Sequence, residues 1–280
     1  MQRGKRAFFA ALALGIATVP AAFAGMEPMS DKEMGEVTGQ ASMLGLDVST
    51  SDQAEFTRYT IGMETELQMN MTDLALGEDA DGMDVGINQL SLGHISRDTN
   101  EIVPFVGFDP YFEMAQDGGD VIGFRIGFSQ ARGSLSGNIN SLTGRLGMEL
   151  VDEDEEVHEG QLLNSDGEVN NQRASHFGIA GEEVTTDCDA GTNCVPLTDL
   201  QTLEVGERDD DGNADFTDSF FISVQQQDLD WVAPNGQSVG TDAGVFFNIP
   251  TSMRQDMQQL QSDGLPRART EFIDRGQGLF

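Results

Sequence analysis

From Phe56 to Leu150 apolar and polar residues alternate with a period of two in several places, and glycines and Asp/Asn turns break the pattern into short runs. That period belongs to half-buried β-strands and not to helices. The clearest case is Phe124-Arg125-Ile126-Gly127-Phe128, which puts Phe124, Ile126 and Phe128 on one face. Met63, Leu67, Met69 and Met71 alternate in the same way, with Glu64 and Glu66 marking a wet opposite face. A weak internal echo runs through Met71-Thr72-Asp73-Leu74-Ala75-Leu76-Gly77, Ile87-Asn88-Gln89-Leu90-Ser91-Leu92-Gly93 and Ile139-Asn140-Ser141-Leu142-Thr143-Gly144. Such a repeat fits either successive hairpin arms or the rungs of a solenoid. Antiparallel pairing through short turns is the commoner solution, so the expected fold is all-β, an antiparallel β-sandwich-like body with a β-solenoid as runner-up.

Residues 152–218 change character: the acid run Asp152-Glu153-Asp154-Glu155-Glu156 opens a stretch with few large apolar side chains. It reads as a long acidic excursion from a single β-rich domain spanning 42–280, partly ordered and partly mobile. Strand signals return at Phe220-Phe221-Ile222-Ser223-Val224 and Val245-Phe246-Phe247-Asn248-Ile249. Ser252 and Gln255 then form a capping box for a short C-terminal helix, with Met253, Met257 and Leu260 on one stripe and Gly264 and Pro266 ending it.

The first 24 residues form a signal peptide. Arg3, Lys5 and Arg6 precede the apolar run Ala7 to Val19, and Ala22-Phe23-Ala24 supplies the small-residue cleavage site. The apolar run is too short to span the roughly 30 Å of a bilayer core, and no later segment reads as transmembrane. Cleavage before Gly25 removes three of the 15 basic residues and takes the formal charge from −33 to −36. Lys32 is then the only lysine, which excludes nucleic acid as a partner, because phosphate binding depends on cationic side chains. Cys188 and Cys194 are the only cysteines, and export into an oxidising compartment predicts a disulfide that pins a surface loop.

Directly after the cleavage site, residues 25–41 carry a short capped helix and linker. Ser30 and Glu33 form a capping box, Met29 and Met34 can close a hydrophobic staple, and Gly39 is placed to end the helix. The helix, roughly Asp31 to Thr38, has an apolar edge of Met34 and Val37 and is below the roughly 12 residues that hold a helix alone. It is expected to dock on its own domain or on a partner.

One stretch has metal-ligand spacing. Read from Glu207, oxygen ligands fall at loop positions 1, 3, 5, 9 and 12 with Gly212 at 6, so Glu207, Asp209, Asp211, Asn213, Asp215 and Asp218 form a candidate calcium site of EF-hand type. Glutamate at position 1, aspartate at 12 and the lack of flanking helices depart from that pattern; the competing reading is an acidic solvated turn. No catalytic constellation emerges. His94, His158 and His176 are far apart, and Gly133-Ser134-Leu135-Ser136-Gly137 has leucine where a nucleophile elbow needs serine. The methionines read as core packing and not as copper ligands. Counting back from Phe280 by twos meets Gly278, Gly276 and Asp274 before Phe272, which argues against a terminal strand of an outer-membrane barrel.

Two regions resemble the FilA-type pilus-system proteins of Gram-negative bacteria. The first is Met29-Ser30-Asp31-Lys32-Glu33-Met34 to Val37-Thr38-Gly39-Gln40-Ala41; the second is Val106-Gly107-Phe108-Asp109-Pro110-Tyr111-Phe112-Glu113-Met114-Ala115 with Ile122 to Phe128 and Gly133 to Ile139. Methionine stands at 26, 29 and 34 where leucine is more usual in that family. The resemblance covers about the first 150 residues and implies a context of surface fibres (pili or fimbriae) or their assembly, with no catalytic residue to carry over. The expected role is that of an exported, non-enzymatic structural or accessory protein of a pilus-like system. Its partners would be other proteins of the fibre, and its place the periplasm, the outer-membrane surface or the extracellular fibre. The alternative is a secreted calcium-dependent adhesive or glycan-binding module acting in cell adhesion.

Overall fold

In the computed structural model the described residues run from 44 to 270, apart from 81, 181–187, 189–192, 210 and 235. The chain divides into two compact units, Met1–Thr38 and Gly39–Phe280, and every described residue belongs to the second. The signal peptide and the docking-helix residues Met29, Ser30, Glu33, Met34 and Val37 lie outside the described residues.

A network of 12 hydrogen-bonded strands forms the body. In chain order these are β1 (Leu44–Thr50), β2 (Glu55–Ile61), β3 (Glu64–Leu67), β4 (Met69–Asp79), β5 (Gly82–Leu92), β6 (Phe105–Asp117), β7 (Asp120–Leu142), β8 (Gly144–Val151), β9 (Val157–Glu159), β10 (Thr202–Val205), β11 (Phe221–Gln225) and β12 (Gly244–Asp256). The all-β expectation holds. The pairing, however, closes a ring where two facing sheets were expected: β7 pairs with β10, β10 with β12, β12 with β11, and β11 again with β7, a four-stranded barrel. The cause is the 23-residue length of β7. Residues 123–127 pair with β11 and residues 133–136 with β10, and the change of partner falls at Gly133 (φ 143°), where a Cβ would sit 2.8 Å from the Phe105 backbone. One strand therefore serves two sides of a closed barrel. The solenoid is overturned as well, because the named ladders among the described residues are antiparallel except for β8 with β12.

The internal echo marks hairpin arms. Leu74 of the first copy faces Ile87 of the second, and Ile87 faces Ile139 of the third, on antiparallel neighbours β4, β5 and β7. Their apolar residues enter the main core with Phe105, Leu135, Leu146, Phe247 and Ile249; Met69 and Met71 pack against it, a packing role as expected. A second core of Phe56, Ala115, Phe221, Trp231 and Phe246 lies across the sheet. Strand β12 separates the two, giving Val245, Phe247 and Ile249 to the first and Phe246 to the second. Burial on both faces explains its consecutive apolar residues Val245, Phe246 and Phe247, and the buried Asn248 that follows donates to the Ser219 carbonyl.

Two local expectations are corrected. The C-terminal helix α1 spans Met257–Asp263, with Asp256 as N-cap accepting from the Gln259 N–H and Gly264 (φ 61°) at its end. Ser252 and Gln255 instead continue β12, because parallel pairing of Arg254, Gln255 and Asp256 with Glu149, Leu150 and Val151 outweighs the local cap. Met257 and Leu260 are buried as the stripe predicted. The stretch 152–218 also returns to the body: β10 is a stave of the barrel, and Leu162, Phe177, Val195, Leu197 and Leu200 join the main core. A separate three-stranded sheet within it pairs Gln161–Leu163, His176–Gly178 and Cys194–Pro196.

The β8–β12 junction holds the tightest approach at any glycine among the described residues. A Cβ on Gly144 would lie 2.0 Å from the Phe247 carbonyl oxygen, so the chain must move to accept one. Gly144→Ala is expected to cost on the order of 3 kcal/mol in urea unfolding. Gly118→Ala, in an open turn with nothing within 4 Å, should cost only about 1 kcal/mol for its positive φ.

Candidate functional site

Beyond the barrel, β6 and the first half of β7 continue outward through β2 to β1, so the sheet projects as a wing. Cross-strand register aligns Phe247, Ile222, Ile126, Phe112, Tyr59 and Leu46 in one row. A second row runs Val245, Val224, Phe124, Met114, Thr57 and Val48. Both rows begin in the main core and end in solvent: Phe247 is 3% exposed, Ile126 57% and Leu46 64%. With Leu44 and Ile61 beside them, the wing carries a contiguous apolar surface, and Phe112 and Phe124 touch across it with ring centroids 6.1 Å apart. Scattered exposed apolar residues are ordinary, but a contiguous set on one sheet face marks an interaction surface.

The opposite face of the wing holds a buried ion cluster. Alternation turns Arg58, Glu113 and Arg125 away from the apolar side, on three adjacent strands. Arg125 is wholly buried and donates through Nε to Glu113 Oε2 and through Nη2 to the Val232 carbonyl. Arg58 Nη2 donates to the same carbonyl at 2.6 Å and lies 3.2 Å from Glu113 Oε1. The Arg125 guanidinium stands 5.1 Å from both the Phe221 and Trp231 ring centroids, and Arg58 stands 4.7 Å from that of Tyr111. Burial pushes the Arg125 pKa down and that of the Tyr111 hydroxyl up. The hairpin of Leu229–Val232 and Ser238–Thr241 covers this cluster. The cluster ties three strands to that hairpin and stiffens the apolar face from behind.

The six residues of the calcium register are not gathered on one point. Glu207–Arg208 and Ala214–Asp215 pair as a two-stranded hairpin, with Glu207 opposite Asp215. Asp209 Oδ1 accepts from the Asp211 and Asn213 N–H groups, and Asn213 Nδ2 donates to Asp209 Oδ2. These bonds, first those from Asn213, hold the Asp209 carboxyl below its ordinary pKa. Glu207 accepts from the Thr217 hydroxyl and Asp215 from the Phe216 N–H. The same turn recurs twice. Asp152 Oδ1 accepts from the N–H groups of residues 154 and 156, Asn164 Oδ1 from those of 166 and 168, and residues 155, 167 and 212 all have positive φ. The acid-glycine spacing that suggested a cation loop is the chemistry of a five-residue hairpin turn.

Among the described residues the one convergent set of metal-type ligands is Asp152, Glu156 and His158, with ligand atoms within 4.8 Å of one another. In the sequence Asp152 and Glu156 belong to the acid run 152–156, and His158 lies two residues beyond it. His158 Nε2 lies 2.7 Å from Asp152 Oδ2, a bond that is the leading cause of that carboxyl's lowered pKa. His94 Nδ1 lies 2.8 Å from the buried Ser134 Oγ, and His176 Nδ1 2.9 Å from Ser175 Oγ. Cys188 and Cys194 form the expected disulfide, Cα atoms 5.4 Å apart, and pack with Leu163. No helix among the described residues is long and apolar enough to cross a membrane.

A family of unknown function (DUF6160) matches residues 5–101, a span that ends after β5. No curated protein and no solved structure matches the chain. The fold and site define an all-β protein whose barrel carries a projecting, apolar-faced wing.

Two predictions test the cluster and the half-buried His94. Glu113→Gln leaves two guanidinium groups without their carboxylate and should lower unfolding free energy by about 3–5 kcal/mol in urea titrations. Burial lowers the His94 pKa, so the folded state resists a proton that the unfolded chain accepts. Stability should fall as pH drops below about 6.5, and His94→Gln should flatten that slope just below about pH 6.5.

Proposed function

We propose that this chain is an exported, non-enzymatic structural or accessory protein of a pilus-like surface fibre system. The observation that carries the proposal is the wing: an apolar sheet face continuous with the core, exposed at Leu46, Phe112 and Ile126, and ending at an edge strand paired on one side only among the described residues. A surface of this kind suits assembly with another protein. The signal peptide and disulfide support a place outside the inner membrane, in the periplasm, on the outer-membrane surface or in the fibre. The resemblance to FilA-type proteins supplies the fibre context, and the capped helix at 31–38 is the proposed docking element. The calcium-dependent adhesive reading rests on Glu207 to Asp218, whose carboxylates are not gathered into a ligand set among the described residues.

Deletion of residues 26–41 from the exported protein should abolish surface fibres in negative-stain micrographs while circular dichroism shows an intact β-body. Fibres of normal number and length on cells making that deletion would remove the docking role.

A further inference from the structure

We infer that the free edge of β1 and the apolar face beside it receive a cationic, extended segment of a partner protein, which adds to the sheet as one more strand. The inference rests on the proposed assembly role only in taking the occupant to be a protein. Among the described residues strand β1 pairs with β2 alone, and all seven of its residues are exposed. It contains no proline or lysine to block a further strand, so its outer N–H and C=O groups can form a ladder. Leu44, Leu46 and Val48 stand on one face in register with Ile61, Tyr59 and Thr57. An added strand with apolar residues at alternate positions would continue those rows.

Charge decides the occupant. Arg58 and Arg125 are turned inward onto Glu113. Arg132 is exposed in the row of Glu66, and the other exposed charges are acidic: Glu55, Asp117 and Asp120 at one end, Glu64 and Glu66 at the other, and Asp47 on β1. A second mature copy would bring the same acidic rim and a further 36 negative charges, the 33 of the full chain plus the three basic residues lost with the signal peptide, and an anionic membrane would repel it likewise. A strand with lysine or arginine on the Asp47 side and valine or leucine on the other complements both features.

The test uses the full mature chain and three synthetic nine-residue peptides, alternating valine with lysine, valine with glutamate, and serine with lysine. Fluorescence anisotropy should show saturable binding of the valine–lysine peptide alone, weakening with salt, and hydrogen exchange should show protection of residues 44–50 on binding. Leu46→Glu should weaken binding by at least about tenfold, the loss typical of removing one interface anchor. Because that change makes the surface more acidic, loose ionic adhesion would strengthen instead. Val48→Glu, exposed on the same face of β1, provides a second variant should Leu46→Glu disturb folding. Equal binding by the serine–lysine or valine–glutamate peptide, binding unaffected by both variants, or self-association abolished by Leu46→Glu without peptide binding would overturn the inference. Fibre micrographs do not enter this assay. Peptide binding with fibres unaffected by deleting 26–41 would leave the cationic strand standing and remove the docking role of that segment; lost fibres with no peptide binding would do the reverse.

Discussion

The bend of β7 at Gly133 is the constraint on which the rest of the architecture depends. A straight 23-residue strand would extend far past any one partner. Bent, it lends residues 133–136 to β10 and residues 123–127 to β11, and β12 closes the ring between them. The same first half of β7 also pairs with β6 along its other edge. Barrel and wing thus share a strand, and the wing's apolar rows are continuations of the barrel's core rows. The exposed face is a consequence of topology: the covering hairpin β4–β5 joins the second half of β7, through residues 135–142, and leaves the first half uncovered on that side.

The buried arginine cluster belongs to the same logic. A sheet with one face in solvent gets little packing from that side, so its rigidity must come from the other. Arg125 alone contacts Glu113 on β6, the Val232 carbonyl of the covering hairpin, and the rings of Tyr111, Phe221 and Trp231. Buried ion pairs add little net stability against an apolar alternative, but they fix geometry, since each donor has few acceptable positions. Here they hold β2, β6 and β7 in register beneath an exposed face.

How far the sequence disclosed this fold depends on the residues considered. The run Val245 to Ile249 is β-branched and aromatic except at Asn248, and it forms part of the barrel stave β12. Phe124, Ile126 and Phe128 share a face as their spacing says, yet period two reports which residues stand together and not whether anything covers them; Ile126 is 57% exposed. Strand β10 was hidden because Thr202–Val205 is only four residues long and offers two inward side chains, too few to register as alternation. The calcium register misled for a physical reason. Aspartate followed two residues on by another acid and then glycine satisfies both a cation loop and an Asx-stabilised turn, and Asn164 to Glu168 forms the same turn without the full register. The docking helix lies in the unit outside the described residues, so its capping box and staple stand as sequence inferences.

The acidity of the chain and its apolar wing are complementary features. An uncovered edge strand beside an apolar sheet face is the arrangement most prone to stack on itself, and soluble proteins with such edges usually blunt them with lysine, proline or a bulge. Strand β1 has none of these blunting residues; it has Asp47 at its centre and acids around it. At a screening length of about 8 Å in physiological salt, like charges at the rim act over the spacing of neighbouring strands and raise the cost of self-pairing most where it would be most favourable. The same field lowers the cost for a partner of opposite sign. One charge distribution therefore does two things: it keeps copies of the chain apart while the face is bare, and it selects what may cover it.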